Sequence, residues 1–520
     1  MRHDEKRRRS AVTEQILNSL AFESHSQRYD DVVDTHRKTF DWVFRSPEYG
    51  PHAAMGKQWS DFCSWLQHQD GVYWINGHEA TGKSSLMKSI VTHPKADKLL
   101  KKWATSGGND TTLFTAKFFF RANGTEKQRS QSGLYRSILH ELLKRRPGSC
   151  PSSSRRNGKW HARARLWTTN KKQKFSWAAP SLQFAVKSLF SQNQVRLRAC
   201  LFIDGLDQYE GDEFEIIDLF RSISSTSNIK CCVSSRRSPA FETAFSDRPS
   251  LQLEQLTYPE MQELVTDQLR SDERIAALTN ANIDTFQVLV DEIVNSAKGV
   301  FLWMNLAVSS LLRGHGDQDG ILEMHTRFQA TPKRLEALYE YIVTRVDQTH
   351  LEECSRLLQL VVTASTSLKD DWRVVSPLSL LGLSFAVEDH PSMALTSQLH
   401  FLSQTEMQQR CEDMAARLGT VCAGLLQVQK RNLKDENVNT TSMVTFVHRT
   451  VKDYLMKWET QKLLRQQTRE SQFNPNFAIL KSTILLMKSG RHVSSSDRLS
   501  YHHIDDGILY ARRAEAELGS

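Results

Sequence analysis

The chain has 520 residues, of which 39% are apolar and 24% charged, with a formal net charge of +9. That length exceeds one ordinary core and sets an expectation of about two to four domains. The apolar fraction suits globular cores and is too low for a membrane protein. The longest apolar stretch, 299–312, is too short to cross a bilayer and is interrupted by Asn305, Ser309 and Ser310.

The opening MRHDEKRRRS has no apolar run behind it and is not a secretory signal. Its basic cluster is either a nuclear signal or a solvated tail. From Glu14 to Phe44 apolar residues recur at helical spacing, and Pro47–Met55 reads as a loop. A short amphipathic helix is expected over Trp59–Gln67, then a strand at Val72–Ile75, a break at Gly77–Gly82 and a helix over Lys83–Val91. Phe114–Phe120 reads as a strand, Ser130–Leu143 and Leu182–Phe190 as helices, and Ala199–Ile203 and Ile229–Ser234 as buried strands. Strands alternating with helices imply a parallel sheet covered on both faces.

Between the Ser130–Leu143 and Leu182–Phe190 helices lies Lys144–Lys174, with eleven Lys or Arg and no acid. Removing those eleven charges from +9 leaves −2, so the basic balance belongs to one insertion and not to the folded domains. No stacking platform or recognition motif accompanies it, and a solvated loop is the simpler reading than a nucleic-acid patch. The eight cysteines contain no CxxC pair, which fits reduced buried thiols better than a disulfide framework or a zinc site.

Beyond about Leu256 the strand signals fade. Helices are expected over Pro259–Leu269, Phe286–Ser296, Val300–Leu312, Leu335–Val346, Leu351–Thr363 and Met407–Leu418. Two short strands follow at Gly424–Val428 and Met443–Val447, then a helix over Arg449–Trp458. Helices ending in a small hairpin suggest a winged-helix module. No repeat of about 20–50 residues is visible.

Three segments carry chemistry. Gly77-His78-Glu79-Ala80-Thr81-Gly82-Lys83-Ser84 matches G-x-x-x-x-G-K-[ST], followed by Ser85 in a helix. Its glycines let backbone N–H groups turn around phosphates, and the helix N-terminus favours the anion. Lys83 would reach the β- and γ-phosphates and Ser84 would coordinate Mg²⁺. The apolar run Leu201–Ile203 delivers Asp204, with Asp207 close behind; Asp204 would complete the Mg²⁺ shell and Asp207 would position the attacking water. The third segment, Ile229–Arg237, is a buried strand that ends in Ser234, Ser235 and Arg236, and Arg236 could sense a γ-phosphate or be an ordinary surface arginine.

With these residues in view, the chain resembles fungal NACHT proteins of the STAND class of signal-transduction NTPases, whose NACHT region is also called the nephrocystin-3-like N-terminal domain. WINGHEATGKSSLMK (74–88), FIDGLDQYEGD (202–212), CCVSSRRSPAFETAF (231–245) and LQLEQLTYPEM (251–261) are similar to its P-loop, extended Walker B, sensor and lead-in segments. AKGVFLWMNLAVSSLL (297–312) is similar to a helix that follows, and ILNSLAFESHSQRYDDVVDTHRKTFDWVF (16–44) to the stretch preceding NACHT. CEDMAARLGTVCAGLLQV (411–428) and VTFVHRTVKDYLMKW (444–458) resemble its winged-helix-like region.

The resemblance implies an α/β P-loop NTPase domain followed by mostly helical and winged-helix-like domains. It divides the chain into a basic tail with N-terminal helices (1–50), the NACHT domain (51–255), a helical domain (256–345), a winged-helix-like domain (346–470) and a C-terminal tail (471–520). It implies ATP or GTP with Mg²⁺ at residues 77–85, metal at Ser84 and Asp204, hydrolysis and sensing at Asp207 and Arg236, and contact between His448 and ADP phosphates. A buried structural role is the simpler reading of His448. The family usually has Glu after the second acid of the Walker B segment. Here it is Gln208, which cannot act as a base, so hydrolysis is expected to be slow or absent. A homo-oligomer in the triphosphate state and unidentified protein partners are implied, in the cytoplasm or nucleus. Nucleic acid is not the expected partner. The family often adds an effector domain and C-terminal repeats, and neither is expected in this chain.

Overall fold

A computed structural model describes residues 14–22, 27–32, 40–47, 59–108, 111–122, 124–145, 177–190, 196–226, 228–313, 320–366, 378–388, 402–429, 442–489 and 498–518. The basic N-terminal cluster, most of the basic insertion and the hairpin loop at 430–441 lie outside the described residues. The chain divides into unit 1, Met1–Glu263 with Lys298–Phe301, and unit 2, Leu264–Ala297 with Leu302–Ser520. Among the described residues no helix is long and apolar enough to cross a membrane.

Unit 1 is built on five parallel strands: β1 (Gly71–Asn76), β2 (Thr112–Phe119), β3 (Leu197–Asp204), β4 (Ile229–Ser235) and β5 (Ser250–Gln252), in the spatial order β2-β3-β4-β1-β5. Around them are α1 (Phe62–Gln67), α2 (Lys83–Thr92), α3 (Pro94–Ser106), α4 (Gln131–Arg145), α5 (Ala179–Phe190), α6 (Glu213–Ser224), α7 (Pro239–Phe245) and α8 (Leu253–Leu256). The fold is that of an α/β P-loop NTPase domain, followed by helices.

The central strands are buried along nearly their whole length, which is why they read as continuous apolar runs. Alternate residues feed opposite faces. Val72 and Trp74 join Phe118, Leu134, Ile216 and Phe220 in one core. Tyr73 and Ile75 join Trp65, Leu86, Trp103 and Phe202 in the other. Register does the rest: Asn76 pairs with Ser235 and Phe119 with Asp204. Parallel pairing in this register brings the carboxyl ends of β1, β3 and β4 to one edge, where open α/β sheets bind ligands.

Five of these elements of unit 1 had no sequence reading: α3, α6, α7, α8 and β5. Helix α3 starts at Pro94, behind a His93 cap, and buries Leu99, Leu100 and Trp103. Strand β5 is three residues long, too short for any alternation to show.

Unit 2 contains most of α9 (Tyr258–Arg270), then α10 (Glu273–Ala281), α11 (Ile283–Ala297), α12 (Phe301–Arg313), α13 (Ile321–Gln329), α14 (Leu335–Thr344), α15 (Gln348–Ser365), α16 (Leu380–Ala386) and α17 (Gln404–Val421). An antiparallel pair follows, β6 (Leu426–Gln429) with β7 (Met443–Phe446), and then α18 (Arg449–Leu455) and α19 (Trp458–Gln467). The stretch read as a C-terminal tail holds α20 (Pro475–Lys488) and α21 (Arg498–Leu518). Asn474 caps α20 through Phe477 N–H, and Ser482 Oγ donates to Gly382 O at 2.6 Å, tying it to α16.

One charge sits inside the unit 1 core. Lys230 on β4 is fully buried between the rings of Trp65 and Trp103, 5.3 and 4.4 Å from their centroids. Its Nζ donates to Trp65 O at 2.5 Å and Leu66 O at 2.9 Å, carbonyls at the end of α1. Burial lowers its pKa to about 8, with Cys200 and Asp70 opposing that shift. Above that value the native chain has released a proton that the unfolded chain, with an ordinary lysine pKa, still holds, so stability rises with pH until the unfolded lysine also titrates. Wild type is therefore expected to gain about 2 kcal/mol on Lys230→Met between pH 8 and 10. Denaturant unfolding of both proteins at the two pH values measures this, and a constant difference refutes it.

Candidate functional site

The turn from β1 into α2 is forced by its backbone. Ala80 and Gly82 take left-handed conformations, φ 61° and 89°. A Cβ on Gly77 would lie 2.6 Å from Glu254 Oε2 and 3.0 Å from Thr81 Oγ1, so a larger residue there requires the Glu254 carboxylate to shift. Thr81, fully buried, donates from Oγ1 to His78 O at 2.9 Å and pins the turn. Leu86 N–H makes the first helical bond, to Gly82 O, so the amides of Lys83, Ser84 and Ser85 lie in the first turn of α2, where helical partners are lacking.

The centre of the site is Asp204, 1% exposed at the end of β3. Ser84 Oγ donates to its Oδ2 at 2.6 Å, joining residues 120 apart in sequence. Ser234 Oγ donates to its Oδ1 at 2.6 Å and accepts from Gly205 N–H at 2.9 Å. Burial raises the Asp204 pKa above the usual carboxylate range, against the two serine hydroxyls, which favour the charged form.

Lys83 is folded onto its own loop, donating to Gly77 O at 2.7 Å and His78 O at 2.5 Å. Burial lowers its pKa; the carboxylates of Asp207, Asp204, Glu254 and Glu79 oppose this. Arg236 faces the loop: its Nε lies 2.9 Å from Asp207 Oδ2 and its Nη2 lies 2.8 Å from Glu79 Oε1. Its backbone N–H also donates to Asp207 Oδ1 at 3.1 Å. The neighbouring Arg237 faces Glu242 instead, at 2.6 Å.

Residues 77–85, Asp204, Asp207 and Arg236 thus share one edge of the sheet. His448 belongs to unit 2. There its Nδ1 accepts from Thr450 N–H at 3.3 Å and caps α18, a local structural task. Gln208 also has a partner: its Oε1 accepts from Ala122 N–H at 3.2 Å, tying the end of β3 to that of β2.

Two contributors were not singled out from sequence. Ser234 was read only as a strand-end hydroxyl, and its bond to Asp204 depends on sheet register. Glu254 carried no signal at all. Its side chain is 7% exposed, accepts from Gln252 Nε2 at 2.7 Å and lies 3.7 Å from His78 Nε2. Gly299, in the turn between α11 and α12, packs so closely that a Cβ there would lie 2.5 Å from Glu254 Cα. Phe301 lies beside Gly82, with Phe40 edge-on at 6.1 Å.

Residues 57–236 match the family described as Nephrocystin 3, N-terminal, and residues 345–498 match one described as a domain of unknown function, DUF7791. Among curated proteins none matches the chain. Of solved structures, the chain is similar to Drosophila ORC bound to DNA at 12% identity and a TM-score of 0.32, over 82% of this chain and 93% of that one. It is similar to the Aeropyrum pernix ORC1 protein in complex with DNA at 13% identity and a TM-score of 0.28, over 82% and 96%. A Pyrococcus horikoshii STAND protein with a tetratricopeptide repeat sensor aligns at 12% identity and a TM-score of 0.33, over 91% of this chain and 54% of that one.

The buried Asp204 carboxylate has a stability consequence. Its folded pKa lies above the unfolded one, so stability falls as pH rises between the two values. Asp204→Asn removes the charge and keeps the shape. It is expected to stabilise the protein by about 1–3 kcal/mol at pH 7, and by less at lower pH. Ser234→Ala is expected to cost about 1–3 kcal/mol, since it strips a partner from Asp204 and from Gly205 N–H. Urea unfolding at pH 7 and pH 4.5 tests both signs.

Proposed function

We propose that this chain is a NACHT-type nucleotide switch. Unit 1 takes ATP or GTP with Mg²⁺, hydrolyses it slowly, and the bound nucleotide sets the state of the helical unit. The observation that carries the reading is the 2.6 Å bond from Ser84 to Asp204. It joins the hydroxyl after a P-loop lysine to a buried acid at the end of β3, one strand removed from β1, the two protein groups that a nucleotide-bound Mg²⁺ uses.

The donor set fits a hard cation, since both groups are oxygen ligands, and Mg²⁺ normally takes one or two protein ligands together with phosphate and water. When bound, the cation neutralises phosphate charge. The surrounding charge supports a requirement for it: Asp204, Asp207, Glu79 and Glu254 all act on Lys83, while Lys83 and Arg236 are the two cations named at the site. A polyanion entering this site without a metal meets more repulsion than attraction.

Each residue then has a task. Lys83 exchanges the Gly77 and His78 carbonyls for β- and γ-phosphate oxygens. The amides of residues 77–85 cradle the phosphates. Asp207 orients the attacking water, and Arg236 meets the terminal phosphoryl group. Gln208, engaged by Ala122 N–H and without a carboxylate, keeps turnover low.

The route to unit 2 is covalent. Lys298–Phe301 belongs to unit 1 yet connects α11 to α12 of unit 2, and it packs against Glu254 and Gly82 beside the P-loop. Nucleotide that reshapes the loop bears on this segment, and differential contacts there bias the attached helices. We extend the reading, from the resemblance, to contact of His448 with ADP phosphates, to oligomers in the triphosphate state and to a role in fungal non-self recognition or cell death.

A second reading is a scaffold that binds nucleotide without hydrolysing it, favoured by Gln208. Phosphate release that Asp207→Asn abolishes rejects the scaffold. For the switch, fluorescent ATP, GTP and ADP are expected to bind with micromolar affinity in Mg²⁺, to lose at least about tenfold on Lys83→Ala, and to lose binding on chelation. Size-exclusion profiles are expected to differ between ADP and a non-hydrolysable triphosphate. Folded wild type that binds none of them refutes the nucleotide site; identical profiles refute the switch.

A further inference from the structure

We propose that Glu79 is a built-in competitor of triphosphate: its carboxylate holds the Arg236 guanidinium until a terminal phosphoryl group displaces it, so the loop itself discriminates triphosphate from diphosphate. This rests on the nucleotide reading above and adds to it a residue that sets specificity.

Arg236 is held at two of its guanidinium nitrogens by two different acids. Asp207 engages both its Nε, at 2.9 Å, and its backbone N–H, at 3.1 Å. That double attachment fixes where the arginine stands. Glu79 engages Nη2 at 2.8 Å and fixes where the outer edge points. The third residue of the phosphate loop therefore holds the sensor arginine through a charged side chain.

A guanidinium is a planar fork of N–H donors, and a carboxylate and a phosphoryl group present equivalent oxygen acceptors to it. The two anions compete for one edge. A diphosphate brings no terminal phosphoryl group and leaves the Glu79–Arg236 pair intact. A triphosphate must break that pair to gain the arginine, and the released carboxylate then remains on the loop that cradles the phosphates. Both effects weaken triphosphate binding and spare diphosphate. Arg237 offers no substitute, since Glu242 holds it at 2.6 Å. The pair is partly shielded, with Arg236 34% and Glu79 30% exposed, so it exceeds a fully solvated ion pair without being irreversible.

The test is equilibrium binding, in Mg²⁺, of non-hydrolysable ATP and GTP analogues and of ADP and GDP. The proteins are wild type, Glu79→Gln, Arg236→Ala and the double variant, each checked for folding by thermal melting. Glu79→Gln keeps the size and removes the charge. It is expected to tighten triphosphate about five- to tenfold, roughly 1–1.4 kcal/mol, and to leave diphosphate within about twofold. The gain is expected to vanish in the Arg236→Ala background, the signature of coupling through the arginine.

Equal tightening of both nucleotides by Glu79→Gln would mean plain repulsion between loop carboxylate and phosphate, and overturns the competitor. Unchanged binding, weakened binding, or a gain that persists without Arg236 overturns it as well. If folded wild type binds neither nucleotide, the nucleotide reading itself falls and takes this proposal with it. Binding of both with no Glu79 effect sinks the competitor alone.

Discussion

A carboxylate with almost no exposure anchors the edge of the sheet. Asp204 ends an interior strand of a parallel sheet, where burial opposes its charge, and it is kept in place by two serine hydroxyls from different elements. Ser84 belongs to the helix that follows the P-loop and Ser234 to the adjacent strand, so the acid fastens three segments at once. Removing any partner exposes the others to the cost of an unsatisfied buried group. Burial thus sets this charge against the stability of the fold, and the two hydroxyls offset part of that cost.

Electrostatics then orders the surroundings. Lys83 and Arg236 are held by groups they must leave to meet a ligand: loop carbonyls for the lysine, Glu79 and Asp207 for the arginine. Each cation has a protein partner in hand, so the ligand competes with the protein and not with water. The short segment Lys298–Phe301 meets the same surroundings: Gly299 packs on Glu254 and Phe301 lies beside Gly82, and this segment is continuous with α11 and α12.

Much of this was legible in the amino-acid order. The P-loop spacing, the apolar run ending in Asp204, and the strand ending in Ser234–Arg236 each carry a local physical signature, because buried parallel strands are continuous apolar runs and phosphate loops need glycine at fixed positions. Helices α9, α11, α12, α14, α15, α17 and α18 followed from 3.6-residue spacing, while α10, α13, α16 and α19 were not read, and Leu426–Gln429 with Met443–Phe446 followed from short β-prone runs around a polar gap. Less legible were α20 and α21, in a stretch that carries polar residues at both ends, and β5, whose three residues are a strand only because β1 lies beside them.

Sequence alone determined most of the strands, many of the helices, the glycine-bearing turn after β1 and the polar residues at the ends of β3 and β4, since these depend on local backbone preference and on residue types at fixed spacing. Only the tertiary structure decided which side chains meet. Sheet order and register set Ser234 against Asp204, turned Arg236 rather than Arg237 toward the loop, gave Glu79 a cationic partner 157 residues away and placed Glu254 under Gly77. Those pairings are long-range and depend on which strands are neighbours, a quantity that no window of sequence contains.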